Sequence, residues 1–238
     1  MNAIFPGGTS VSALRVYPWV TPDNRRGGSP HMHLVCTEGY LVGDGAGAVQ
    51  TITTTGYAET PLRPGDVVWF APGTIHRLVN GDGRLRLHVV MQNDGLPEAG
   101  DAVFTFPPEY LASRAAYDAA ASVLDDGGRP EEHRAQARRD LAIAGFSRLR
   151  EAVLAGDPGP LEEFHAAAAR LVADRLDEWR LRWQATALAA ARQTGEQIDA
   201  LSAGDHRHLR DGAVHRVARP DQTALGMCGY LHRYPLHT

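Results

Sequence analysis

Between Pro30 and Asn93 the chain is cut into short pieces by glycine turns, and no other feature restricts its fold as much. Runs rich in Val, Thr, Tyr and Trp alternate with Gly43-Asp44-Gly45, Thr55-Gly56, Pro64-Gly65-Asp66 and Gly81-Asp82-Gly83. A helix needs a longer unbroken period, whereas hairpin strands of about four to eight residues fit between such turns. The segment from Arg84 to Asn93 sets Leu85, Leu87, Val89 and Met91 against Arg86, His88, Val90 and Gln92. That alternation predicts a strand with one buried, apolar face. Regular strand and turn spacing of this kind points to a sandwich or barrel.

One more strand is expected before it, from Val11 to Val20, ended by Pro18, Pro22 and the Arg25-Arg26-Gly27-Gly28 segment. After Phe104 the texture changes. Alanine and arginine become frequent, and helices are expected over Pro108 to Leu124, Pro130 to Ala155 and Leu161 to Ala203, the last interrupted near Gly195. From Asp211 the pattern returns to β, with strands expected at Ala213 to Ala218 and Ala224 to Tyr234. The expectation is an α+β chain: a β-barrel over 1–104, a helical region over 105–210, and a β tail over 211–238 that pairs with the barrel edge or with a second subunit.

Chemistry concentrates inside the β region. His31 and His33 are two apart, so on a strand they point to the same face. Glu38 follows shortly, and His76 closes the stretch. Imidazoles suit zinc, copper, iron and nickel, and a carboxylate extends the choice to manganese. One divalent metal site is expected from His31, His33, Glu38 and His76. Three neutral imidazoles and one carboxylate leave a net +1 site with such an ion, and an octahedral metal keeps two positions open. Tyr40 shares parity with Glu38, so these two are the candidate catalytic residues. Tyr40, Trp69 and His88 are the candidate substrate contacts. Cys36 lies in the same stretch and reads as a small buried filler.

His31-x-His33-x4-Glu38-x6-Gly45, followed by Gly65 and by Pro72-Gly73-x-x-His76-x3-Asn80, resembles the two signature motifs of the cupin superfamily. The resemblance covers roughly residues 27–93. It implies a cupin-like β-jelly roll whose interior holds one metal (Fe, Mn, Ni or Zn) on the counterparts of His31, His33, Glu38 and His76. The chain departs from the pattern at Ala71, where a proline is usual. That departure alters a turn and touches no ligand.

Other features exclude functions. The 24 basic residues are all arginine. Without lysine there is no Schiff-base chemistry and no P-loop. A net charge of -4 gives no reason to expect nucleic acid or an anionic membrane. No apolar run is long enough to span a bilayer and nothing at Met1 reads as a leader, so a cytoplasmic location is expected. His206 and His208 repeat the H-x-H pattern, and His215, His232 and His237 follow, so a tail strand that carries His215 or His232 to the barrel mouth is one expectation. Trp179 and Trp183 stand one turn apart on a helical stripe too long for the barrel to cover, which favours a homodimer. Together these readings imply a metal-dependent cupin enzyme acting on a small polar metabolite, either a dioxygenase or a sugar-type isomerase. The alternative is a non-catalytic, sensing cupin.

Overall fold

The computed structural model describes residues 5–235. Its strands are β1 (Ser10–Val16), β2 (His31–His33), β3 (Glu38–Asp44), β4 (Gly47–Thr53), β5 (Gly56–Leu62), β6 (Val67–Phe70), β7 (Ile75–Asn80), β8 (Arg86–Met91), β9 (Ala102–Phe104), β10 (Ala224–Leu225) and β11 (Gly229–Arg233). The helices are α1 (Pro108–Leu111), α2 (Arg114–Ala121), α3 (Glu132–Leu154), α4 (Gly159–Val172), α5 (Leu176–Ala185) and α6 (Ala187–Ser202).

The strands form two antiparallel sheets of jelly-roll type. One runs in the order β10-β11-β1-β8-β3-β6, the other β5-β4-β7-β2-β9. Their facing sides make one core, with Leu14, Val42, Leu87 and Val89 from the first sheet against Val49 and Leu78 from the second. On β8 the expected alternation is present: Leu87, Val89 and Met91 are buried, while Arg86 and His88 face outward. On β7 every position is buried. The inner face of that strand carries His76. Its outer face carries Arg77, which is covered by the loop that holds Thr21 and Asp23.

The helical stretch leaves the barrel at β9 and returns at β10. Helix α3 lies against β4 and β5. It passes so close to the chain after β9 that a Cβ on Gly145 would stand 1.9 Å from the Thr105 carbonyl oxygen. The Thr105 hydroxyl donates to the Ala142 carbonyl at 2.8 Å in the same crossing.

Several boundaries differ from expectation. β1 ends at Val16, before Pro18, which has no N–H to offer a ladder. The stretch from Pro108 to Leu124 holds two helices, because Ser113 is extended and caps α2 by accepting from Ala116 N–H. The stretch from Leu161 to Ala203 breaks at the tight turn Ala173–Arg175 and at Thr186, while Gly195 lies inside α6. Thr186 is buried, and its hydroxyl turns to the Arg182 and Asp94 carbonyls. Residues Ala213 to Ala218 form no strand. No neighbouring strand pairs with them, and Val214 is 98% exposed. The other tail strand does form. β11 pairs with β1 from Ser12↔Arg233 to Val16↔Gly229 and so extends the first sheet.

Candidate metal centre

Strand pairing brings the four side chains together. His31 on β2 is the register partner of His76 on β7, and His33 lies two residues along on the same face. Glu38 begins β3 in the other sheet, opposite Met91 on β8 and Phe70 on β6. The cluster therefore spans the two sheets of the barrel. One ligand atom from each of His31, His33, Glu38 and His76 lies within 4.8 Å of all the others, and all four residues are buried.

Each imidazole is held from behind. His31 Nδ1 lies 2.9 Å from the Ser29 carbonyl, His76 Nδ1 lies 3.2 Å from the Thr74 carbonyl, and His33 Nδ1 lies 2.9 Å from Asp101 Oδ2. With Nδ1–H donating outward, each Nε2 presents a lone pair to the centre. There, His76 Nε2 stands 3.1 Å from His31 Nε2. Glu38 Oε2 stands 3.0 Å from His76 Nε2 and 3.3 Å from His33 Nε2. This oxygen is buried and accepts no hydrogen bond. Converging lone pairs with an orphaned carboxylate oxygen form a donor set that suits a divalent cation.

The electrostatics call for positive charge at this cluster, which without an ion is a proton on His33. Burial would push Glu38 up, but His76 and His33 outweigh it and hold the carboxyl well below its ordinary range. Burial, then His76 and His33, keep His31 well below the usual imidazole value. Burial also opposes protonation of His33, yet Asp101 and Glu38 prevail and raise it to about 9. An ionised Glu38 in this interior requires a positive neighbour.

Asp101 was not singled out by sequence reasoning. It is fully buried, and its Oδ1 accepts from Leu34 N–H at 3.1 Å and Val35 N–H at 2.8 Å. It thus fastens the end of β2 as well as the His33 ring. The available signal was an acidic residue directly before the apolar run Ala102-Val103-Phe104.

A cavity of about 300 Å³ opens on His31, His33 and Glu38. Its wall includes Leu14, Val89 and Met91 from the barrel, Arg138 from α3, and Met227 and Cys228 from the tail. The tail therefore does reach the centre, though not through a histidine. His232 faces Pro220 and Arg219 on the outside, His215 is exposed, and His237 lies outside the described residues. The close approach depends on Gly28, where a Cβ would stand 2.4 Å from the Cys228 Cα. Among the described residues no cluster of metal-ligating type includes His206 or His208.

The remaining predicted residues separate. Tyr40 is fully buried beside Glu38 but does not line the cavity, and burial, then the Glu38 charge, push its phenol well above its ordinary value. Trp69 is 70% exposed and points away from the cluster. Its neighbour Phe70 points inward instead, with its ring centroid 4.2 Å from that of His76. His88 sits on the outer face, opposite Leu41 and Ala13. Odd and even positions of one strand face opposite sides, which is why Trp69 and His88 miss a site that Phe70 and Val89 reach. Cys36 is buried near Asn93 and lies outside the four-residue cluster.

No protein-family model matches the chain, and no curated protein does. Solved structures match part of the chain. A protein with a double-stranded β-helix domain from Klebsiella pneumoniae matches at 17% identity and TM-score 0.30, over 38% of this chain and 72% of its own. A sugar 3,4-ketoisomerase from Thermoanaerobacterium thermosaccharolyticum, in complex with TDP, matches at 12% identity and TM-score 0.32, over 39% of this chain and 64% of its own. The cupin domain of Drosophila melanogaster CENP-C matches at 18% identity and TM-score 0.28, over 34% of this chain and 57% of its own. Two of these three are spanned over less than two thirds of their length.

Proposed function

We propose that the protein is a metal-dependent enzyme of cupin type that acts on one small polar metabolite. The reading is carried by one observation. Three Nε2 atoms and a carboxylate oxygen converge within 4.8 Å beside a cavity, while every Nδ1 is already engaged. In this reading His31, His33, Glu38 and His76 hold one divalent ion, iron, manganese, nickel or zinc. When bound, the ion supplies Lewis-acid polarisation and open positions for a chelating ligand.

The residues of the chain do the rest. Ser29, Thr74 and Asp101 orient the three rings. Leu14, Val89 and Met91 give the cavity an apolar wall beside the cluster. Tyr40, buried beside Glu38, keeps its proton and adds no second negative charge there. A cavity near 300 Å³ takes a small molecule.

The first reading is a sugar-type isomerase, in which a hydrogen moves between a hydroxyl-bearing carbon and a neighbouring carbonyl, with Glu38 as the carboxylate that opens on the cavity to carry the proton. The second reading is a dioxygenase, favoured by three neutral imidazoles and one carboxylate around open positions. Metal analysis followed by an oxygen electrode separates them. Isomerisation predicts turnover of a hydroxy-carbonyl substrate with no oxygen uptake, and a dioxygenase predicts oxygen uptake that depends on iron. A metal-loaded protein that binds small ligands and turns none over is a sensing protein, which contradicts both.

The working unit in this reading is a homodimer joined through α5 and α6, where Leu181, Ile198 and Leu201 stand exposed. Neither nucleic acid nor membrane is a partner in it. Among the described residues no helix is long and apolar enough to cross a membrane.

A further inference from the structure

Two arginines line the cavity that opens on the metal centre, and their surroundings differ. Arg233 is half exposed and lies 3.9 Å from Glu98. Arg138, supplied by α3, is 7% exposed, and no carboxylate among the described residues is paired with it. Its Nη2 donates to the Gly226 carbonyl at 2.6 Å and its Nη1 reaches the Ala121 carbonyl at 3.4 Å. Its Nε is buried and has no partner. The guanidinium stands 5.0 Å from the ring centroid of Phe104, the register partner of His31.

Burying a cation is costly unless an anion offsets it. A ring face and two carbonyls satisfy some of its N–H groups and leave its charge uncompensated. The carboxylates on the wall have other neighbours: Glu38 lies beside His33 and His76, Glu98 lies beside Arg233, and Asp94 is engaged as well. Glu38, Cys228 and Arg138 all line this one cavity, which places the guanidinium on the same wall as the centre. A guanidinium is also the side chain that best matches a carboxylate or phosphate, through paired N–H donors.

We infer that Arg138 receives an acid group of the ligand, so that the molecule bound at the metal centre is a small anion carrying a carboxylate or phosphate. This rests on the metal-enzyme reading and narrows its substrate class. It also gives the helical region a role in the site, because α3 brings a buried cation to the cavity wall.

The test compares wild type with Arg138→Gln and Arg138→Lys by calorimetry, with malonate, succinate and inorganic phosphate as probes and malonamide as the neutral control. Each titration is run on cobalt-loaded and on metal-free protein. The expected result is that at least one anion binds wild type tenfold or more tightly than Arg138→Gln, that Arg138→Lys recovers part of the loss, and that malonamide shows no such difference. Tighter binding of the dicarboxylates than of phosphate assigns a carboxylate ligand, and the reverse order assigns a phosphate. Cobalt affinity equal in all three proteins shows that the barrel is intact. If Arg138→Gln does not fold, Arg138→Lys alone is expected to bind the anion severalfold more weakly with cobalt affinity unchanged. Equal anion affinity in wild type and a folded variant overturns the inference. A wild type that takes up no cobalt overturns the metal reading instead, since the metal-free titrations still report on Arg138.

Discussion

His31 and His76 face each other across the β2–β7 ladder with their Nε2 atoms 3.1 Å apart, and each is tied at Nδ1 to the carbonyl two residues before it. The same local device, an imidazole bonded to the carbonyl two residues back in the chain, thus recurs at two neighbouring strands. It fixes the tautomer of both rings from the backbone alone. Two lone pairs aimed at each other at this distance repel unless a positive centre lies between them. His33 differs, because its Nδ1 is held by a carboxylate from far along the chain.

Asp101 is the support most exposed to a single substitution. Asp101→Asn keeps the shape but removes the charge that orients His33 and fastens Leu34 and Val35. Metal affinity is expected to fall about 10- to 100-fold, the usual loss for a partner of a ligating histidine. A competitive metal titration against a fluorescent chelator measures it, and unchanged affinity would show that His33 needs no such support.

Arg77 is fully buried and depends on Asp23, at 2.6 and 3.0 Å. Burial works against ionisation of Asp23, but hydrogen bonds from Arg77 and Thr21 outweigh it and hold its carboxyl well below the usual range. A depressed folded-state value means that ionised Asp23 stabilises the fold above about pH 4, the unfolded value, and that this contribution drains away as the pH falls further. Asp23→Asn is expected to cost about 2 kcal/mol at pH 7, less than a fully buried pair because Asp23 is partly exposed. Urea unfolding at several pH values should show the gap between variant and wild type narrowing below about pH 4.

Gly145 has no room for a side chain, since a Cβ there would stand 1.9 Å from the Thr105 oxygen. Gly145→Ala must push α3 away from the segment after β9. Helix propensity alone would favour alanine by up to about 1 kcal/mol. Overpacking is expected to win, with a net loss of about 2 kcal/mol. Thermal unfolding checks the sign, and a more stable variant would mean that α3 does not cross there.

The proposed dimer has an equally simple check. Ile198→Asp places a charge on the exposed apolar side of α6. If α5 and α6 join two copies, sedimentation at micromolar concentration is expected to shift from dimer toward monomer while the unfolding curve of the barrel stays unchanged. A wild type that sediments as a monomer contradicts the proposal.

The barrel was legible because its strands are short, alternating and marked by glycine turns, so Leu87, Val89 and Met91 could be assigned a face from parity alone. The four-residue cluster was legible for the same reason: the spacing puts His31, His33, Glu38 and His76 on inward positions. Side assignment failed at Trp69, which is exposed, while its neighbour Phe70 is the inward residue. Asp101 and Arg138 were not visible because they reach the site through tertiary packing, one from the turn before β9 and the other from a helix. The helix break at Thr186 is also tertiary, set by packing of the following residue, Ala187, against Gly8. No local signal at Gly195 corresponds to it. In the tail, Ala213 to Ala218 has strand-like composition but no neighbour to pair with.

The central claim is that His31, His33, Glu38 and His76 hold one divalent ion. Its most direct measurement is the metal content and metal-dependent thermal stability of wild type beside His76→Ala, after stripping with a chelator and reloading with iron, manganese, nickel or zinc in turn. The account predicts one ion per chain in wild type and a rise in unfolding temperature on reloading, with both lost or strongly weakened in His76→Ala. A wild type that retains no metal, and whose unfolding is the same with and without each ion, would contradict it.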